Sequence, residues 1–97
     1  MTTMVVKKSD KAGKKYVAIF TKENGRTKRT YFGQAGAPDY IKTGDKERRK
    51  RYRDRHKKDL NTGDPTRAGY LSYYILWGES SSVRENISTY KRRFGFK

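Results

Sequence analysis

The sequence predicts an α+β fold: an N-terminal three-stranded antiparallel sheet followed by three helices, in one domain spanning residues 1–97. Three observations carry this. Lys15–Thr21 is a strand-length, β-branched and aromatic run, and Asn24-Gly25 follows it as a hairpin signal. Helix-start signals then appear at Asp64-Pro65 and at Ser82-Val83-Arg84-Glu85.

Met4–Lys8 is the first strand, short and apolar, and the turn-rich Ser9-Asp10-Lys11-Ala12-Gly13 ends it. Lys15–Thr21 sets Tyr16, Ala18 and Phe20 on one face and Val17, Ile19 and Thr21 on the other. Apolar residues on both faces suit a central strand. Asn24 and Gly25 both tolerate positive φ, so a type I′ turn is expected. Arg26–Phe32 returns as the third strand. The stretch from Gly33 to Tyr40 holds two glycines and a proline and reads as a connecting loop. It has neither of the glycine spacings that cradle nucleotide phosphates.

Asp45–Leu60 is the first helix, opened by Thr43 or Asp45, with no Gly, Pro or β-branched residue inside. Asp45–Arg49, Glu47–Arg51 and Asp54–Lys58 stand at i,i+4 with the acid first, the favourable order. Asn61-Thr62-Gly63 ends it. Asp64 as N-cap and Pro65 at the first helical position restart a helix, with Ala68, Leu71 and Ile75 on one face and Tyr74 beside them. The third helix opens with a capping box, Ser82 to Glu85, and carries the stripe Val83, Ile87, Tyr90 and Phe94.

Composition narrows the function classes. The 97 residues carry 25 Lys or Arg against 10 Asp or Glu, a net +15, with 32% hydrophobic and 36% charged residues. The core must therefore be small. High charge with low hydrophobicity is also the signature of disorder, but 13% aromatic residues at regular spacings favour a folded domain. No apolar run approaches the ~18 residues of a membrane span, and the opening Met1–Val6 is too short for a secretory signal. With no cysteine and one histidine, disulfides, thiol chemistry and a conventional zinc site are not expected, and no cofactor is implied.

The charge is uneven. Residues 1–15 carry +4, 16–44 +3 and 60–97 +3, whereas Asp45–Asp59 alone holds nine Lys/Arg against four Asp/Glu, a local +5. Tyr52, His56 and Leu60 form only a thin apolar edge on this helix, so most of its circumference must present cations. The candidate nucleic-acid-binding residues are Arg48, Arg49, Arg51, Arg53, Arg55, Lys57 and Lys58. Arginine's planar fork suits phosphate, and a polyanion would relieve the repulsion of such a cluster. Nothing marks base-specific readout, so DNA bound by shape and charge is the expected partner.

Ala68–Gly78 is the richest aromatic stretch. Rings beside cations can stack on bases, but a chain this polar needs them for its core, leaving Tyr73 or Trp77 as the expected exposed ring. His56 reads as a packing or hydrogen-bonding residue, since no Ser/His/Asp pattern or dense carboxylate cluster accompanies it.

Several runs together resemble a known family: Tyr31-Phe32-Gly33, Asp45-Lys46-Glu47-Arg48-Arg49, Arg55-His56-Lys57-Lys58, and Ala68-Gly69 through Leu76-Trp77. They are similar to small basic proteins of unassigned function encoded by large nucleocytoplasmic DNA viruses, chlorovirus- and mimivirus-like. The resemblance covers Tyr31 to Phe94. It implies a viral source, a place in the virion, and a host cytoplasm or nucleus during infection. It supplies no catalytic residues. Acidic capsid or virion proteins are then an alternative partner for the cations.

A weaker resemblance is to the GIY-YIG nuclease module. Tyr31-Phe32-Gly33 would stand for its second tripeptide, an arginine of the basic helix for the catalytic one, and Glu85 for the metal-binding acid. Phe20 occupies the place of the first motif's tyrosine, so that hydroxyl is missing.

Overall fold

Side-chain alternation and the hairpin signal build the sheet as expected. In the computed structural model, which describes residues 1–97, β1 (Thr3–Lys8), β2 (Lys14–Thr21) and β3 (Thr27–Gln34) pair antiparallel in the order β1-β2-β3. Register pairs Met4 with Phe20, and Tyr16 with Phe32. Met4, Ala18, Phe20 and Phe32 on one face join the core. The opposite face carries Val5, Ile19 and Arg29 in one cross-strand row and Lys7, Val17 and Tyr31 in the next.

The hairpin turn is not type I′. No residue other than glycine takes a positive φ, and Gly25 does so at 84°. The Gly25 N–H donates to the Lys22 carbonyl and the Lys22 N–H to the Arg26 carbonyl, each at 2.9 Å. This is a three-residue loop closed by a left-handed glycine. Asn24 accepts the Arg26 N–H on Oδ1 at 3.0 Å, a local bond open to it without a left-handed backbone.

Four helices follow rather than three. The added one, α1 (Tyr40–Thr43), lies at the end of the expected loop and is capped by Asp39, whose side chain accepts the Lys42 N–H. The basic helix is α2 (Lys46–His56), capped by Asp45 through the Glu47 and Arg48 N–H groups. It tightens to a 3₁₀ segment over Lys57–Thr62 instead of running regularly to Leu60, and Gly63 ends it.

Asp64 does not cap a helix. Its carboxylate accepts both the N–H and the hydroxyl of Thr66, an Asx-type turn that competes with helix initiation. Helix α3 (Ala68–Leu71) therefore starts later and runs into a π-turn over Ser72–Leu76. The amphipathic α4 (Val83–Phe94) forms where its stripe predicts, with Tyr90 fully buried. Ser82 accepts the Glu85 N–H, but the return half of the capping box passes through Ser80. The Ser82 N–H donates to Ser80 Oγ, which donates on to Glu85 Oε2 at 2.7 Å.

The core lies between the inner sheet face, α3 with its π-turn, and α4: Leu71, Ile75, Leu76, Trp77 and Tyr90 meet Met4, Phe20 and Phe32. Every buried side-chain nitrogen and oxygen has a partner. Asn86, only 4% exposed, does much of this by donating to the Ile75 and Ser80 carbonyls. The site therefore stands on a fully satisfied frame.

Candidate functional site

Helix α2 sorts its cations into two neighbouring rows. Arg49, Tyr52, Arg53 and His56, at i, i+3, i+4 and i+7, are the half-buried edge that meets the protein. Arg49 Nε donates to the Gly78 carbonyl at 2.6 Å, and Arg53 donates to the Trp77 carbonyl at 2.8 Å. These acceptors follow the end of the α3 segment, where carbonyls lack helical partners and carry the negative end of the dipole. The two guanidiniums also lie over rings, Arg49 on Tyr40 and Arg53 on Tyr73, the latter 4.2 Å from the centroid.

Rings complete the docking. Tyr52 stacks on Trp77 with centroids 4.3 Å apart and planes 8° from parallel, and on His56 at 4.1 Å. Neither Tyr73 nor Trp77 is the exposed ring expected: both are 7% exposed, because Arg53 and Tyr52 cover them. Burial and the Asp59 charge raise the Tyr52 phenol above its ordinary value. His56 Nδ1 lies 3.0 Å from Asp59 Oδ2, so this histidine packs and pairs.

Arg48, Arg51 and Arg55, at i, i+3 and i+7, form the second row. They are exposed, and no carboxylate lies within ion-pair reach of them. The expected pairs Asp45–Arg49, Glu47–Arg51 and Asp54–Lys58 do not form. Asp45 is occupied by backbone N–H groups and Arg49 by Gly78. Asp54 instead takes Lys50 at 2.8 Å, with the base first, which holds its carboxyl below the ordinary value.

These three guanidiniums line one wall of a cleft of about 600 Å³, with Tyr52, His56, Ser72, Leu76 and Trp77 beside them. The facing wall is the β3–α1 connection, including Gln34, Ala37, Pro38 and Asp39, together with Lys15 of β2. Asp39 brings little free negative charge, because Lys15 Nζ lies 2.5 Å from its Oδ2 and the pair is mostly buried. Lys15 also donates to the Ala37 carbonyl, fixing this wall.

Of the seven expected residues, three thus share the cleft and two turn inward to carbonyls. Lys57 and Lys58 are exposed on the 3₁₀ segment, Lys58 beside a shallow hollow that also holds Arg67. The facing wall was missed in the sequence. Asp39 ahead of Tyr40-Ile41 is a readable N-cap signal, but its pairing with Lys15, twenty-four positions earlier, has no local trace.

The positions of the nuclease resemblance are otherwise engaged. Glu85 accepts from Ser80, the Tyr31 hydroxyl donates to Asp10, and neither lines the cleft. No group of three or more His, Asp or Glu side chains is arranged to hold a metal ion, and no helix is long and apolar enough to cross a membrane.

A three-stranded sheet bearing an arginine-lined cleft along its first long helix defines a small α+β protein with a preformed cationic groove. The chain belongs to a family of unknown function, DUF5754, which matches residues 4–56 and so takes in all of the sheet but Thr3, together with α1 and α2. It is 38% identical over 80 residues to an uncharacterized protein of Acanthamoeba polyphaga mimivirus, covering 74% of this chain and 78% of that one. The family is thus viral and of unassigned function. No solved structure matches the chain.

Proposed function

We propose that this chain is a non-enzymatic viral protein that binds nucleic acid, DNA foremost, with little sequence preference, serving genome condensation or packaging. The observation carrying the reading is the row Arg48, Arg51 and Arg55, three guanidiniums on one helix face with no carboxylate partner, opening on one cleft. A net charge of +15 supports it by drawing a polyanion to that face from a distance.

Titration of duplex DNA at several salt concentrations tests this. Three phosphate contacts give a slope of log K on log salt of about −2.7, so affinity falls roughly 40-fold between 50 and 200 mM salt. A flat response, or no binding in low salt, overturns the reading. Replacing Arg48, Arg51 and Arg55 with Gln should weaken binding to all sequences alike and flatten the slope.

A specific feature favours the alternative, a minor capsid or internal virion protein. On the outer sheet face Val5 is 55% exposed and stands in one cross-strand row with Ile19 and Arg29, next to Lys7. An apolar strip flanked by cations fits an acidic protein surface. Fractionated virions separate the two readings, since a condensing protein follows the genome and a cementing protein follows the shell.

A further inference from the structure

The arginine row sits inside a cleft rather than on a ridge, and this constrains which form of nucleic acid can reach it. We infer that the cleft takes a single strand, with its phosphates on Arg48, Arg51 and Arg55 and an unpaired base stacked on His56. This rests on the proposal that the anionic partner is nucleic acid.

Size comes first. A volume of about 600 Å³ falls within the roughly 300–1,000 Å³ of small-ligand pockets. That is room for one or two nucleotides. A duplex has no such slender part, so it meets the exposed guanidiniums only from the cleft mouth, outside the wall at Ala37, Pro38 and Asp39.

Length agrees. From Arg48 to Arg55 the helix advances about 10 Å at ~1.5 Å per residue. Stacked nucleotides rise about 3.4 Å each along one strand. The row therefore covers about three nucleotide steps, enough to place a phosphate at each of the three guanidiniums.

The rings supply the third argument. His56, Tyr52 and Trp77 form a stacked ladder, with centroid separations of 4.1 and 4.3 Å. Both faces of Tyr52 are taken, and Trp77 is buried. Only His56, whose side chain is 39% exposed, can extend the ladder, and Asp59 at 3.0 Å from Nδ1 orients its ring. A base can add to this end only if it is unpaired and free to turn out of its own stack. The charges around it are Arg51 and Arg55 on the same wall, the carboxylate of Asp59 at its Nδ1 edge, and on the facing wall Asp39, paired with Lys15.

The experiment compares a fluorescent 12-residue oligothymidylate with a 12-base-pair duplex by anisotropy at one salt concentration, using the full chain. The single strand should bind at least 10-fold more tightly. His56→Ala should cost the single strand 5-fold or more and leave the duplex unchanged, while His56→Phe, which keeps a ring, restores single-strand binding. Thermal unfolding of each variant confirms that it is folded at the assay temperature. Equal affinity for the two forms overturns the cleft assignment and leaves the broader proposal standing, as does equal loss of both in H56A. If neither form binds, the broader proposal fails, and this one with it.

Discussion

Arg53 donates to the backbone carbonyl of Trp77 at 2.8 Å while its guanidinium covers the Tyr73 ring. Arg51, two residues earlier on the same helix, meets no carboxylate and faces the cleft. Adjacent arginines of one basic run therefore do different work, and substitution separates them. Arg53→Ala should destabilise by about 2 kcal/mol, the typical loss for a charge-assisted hydrogen bond. At this chain length that lowers Tm by roughly 10 °C. Arg51→Ala should stay within about 0.5 kcal/mol yet lower nucleic-acid affinity. Melting followed by circular dichroism beside a binding titration checks both, and an unstable Arg51→Ala would contradict the division.

Asp39 ties three elements together. Its carboxylate pairs with Lys15 of β2 and accepts the Lys42 N–H of α1, and it lines the cleft opposite α2. Asp39→Ala leaves a mostly buried ammonium without its counter-charge and should cost about 3 kcal/mol. Adding Lys15→Met to the same chain should recover part of that loss, because the stranded charge disappears. Urea unfolding of the two single variants and the double variant measures the coupling. Simple additivity would mean that the pair is not a unit.

Alkaline pH should bear on Tyr90. Its hydroxyl donates to the Pro65 carbonyl inside the core, and burial pushes the phenol far above its ordinary value. Above about pH 10 the unfolded chain releases this proton while the folded chain holds it. The unfolded state then binds fewer protons, so stability falls as pH rises. Tyr52, raised in the same direction, adds to the trend. Tyr90→Phe should lose about 1 kcal/mol at pH 7 by removing a hydrogen bond, and then decline less steeply between pH 9 and 11. Parallel declines in urea unfolding across that range would show that Tyr90 does not drive the effect.

What was readable in the sequence was local. Alternation in Lys15–Thr21 and the Asn24-Gly25 signal located the hairpin, and the Val83–Phe94 stripe located α4. Each involves neighbours within one or two turns of chain. The turn type escaped because the Asn24 side chain bonds backbone, and the start of α3 escaped because Thr66 captures the Asp64 carboxylate. The basic helix was plain from its composition, but its orientation was not. Arg49 and Arg53 bind carbonyls twenty or more positions away, and nothing in the pattern of charges distinguishes them from Arg48 or Arg51. The cleft likewise needs Lys15 and Asp39 brought together across the sheet, which only folding does.

Residues of α2, the π-turn and α4 meet at Gly78. Its carbonyl accepts from Arg49, and a Cβ there would lie 2.2 Å from the Tyr74 carbonyl oxygen and 2.8 Å from Asn86 Cγ. Backbone and side chain are thus both in the way, and they differ in how they can yield. Gly78→Ala should destabilise by about 3 kcal/mol, the upper end for overpacking, because the Tyr74 oxygen cannot move without distorting the π-turn. Asn86→Ala alone should cost about 2 kcal/mol by leaving the Ile75 and Ser80 carbonyls without their donor. In the double variant the second contact is gone and the first remains. The combined loss should therefore be smaller than the sum of the two but larger than either. Thermal melts of the three variants decide this. A combined loss no larger than that of Asn86→Ala alone would mean that the carbonyl contact is easily relieved.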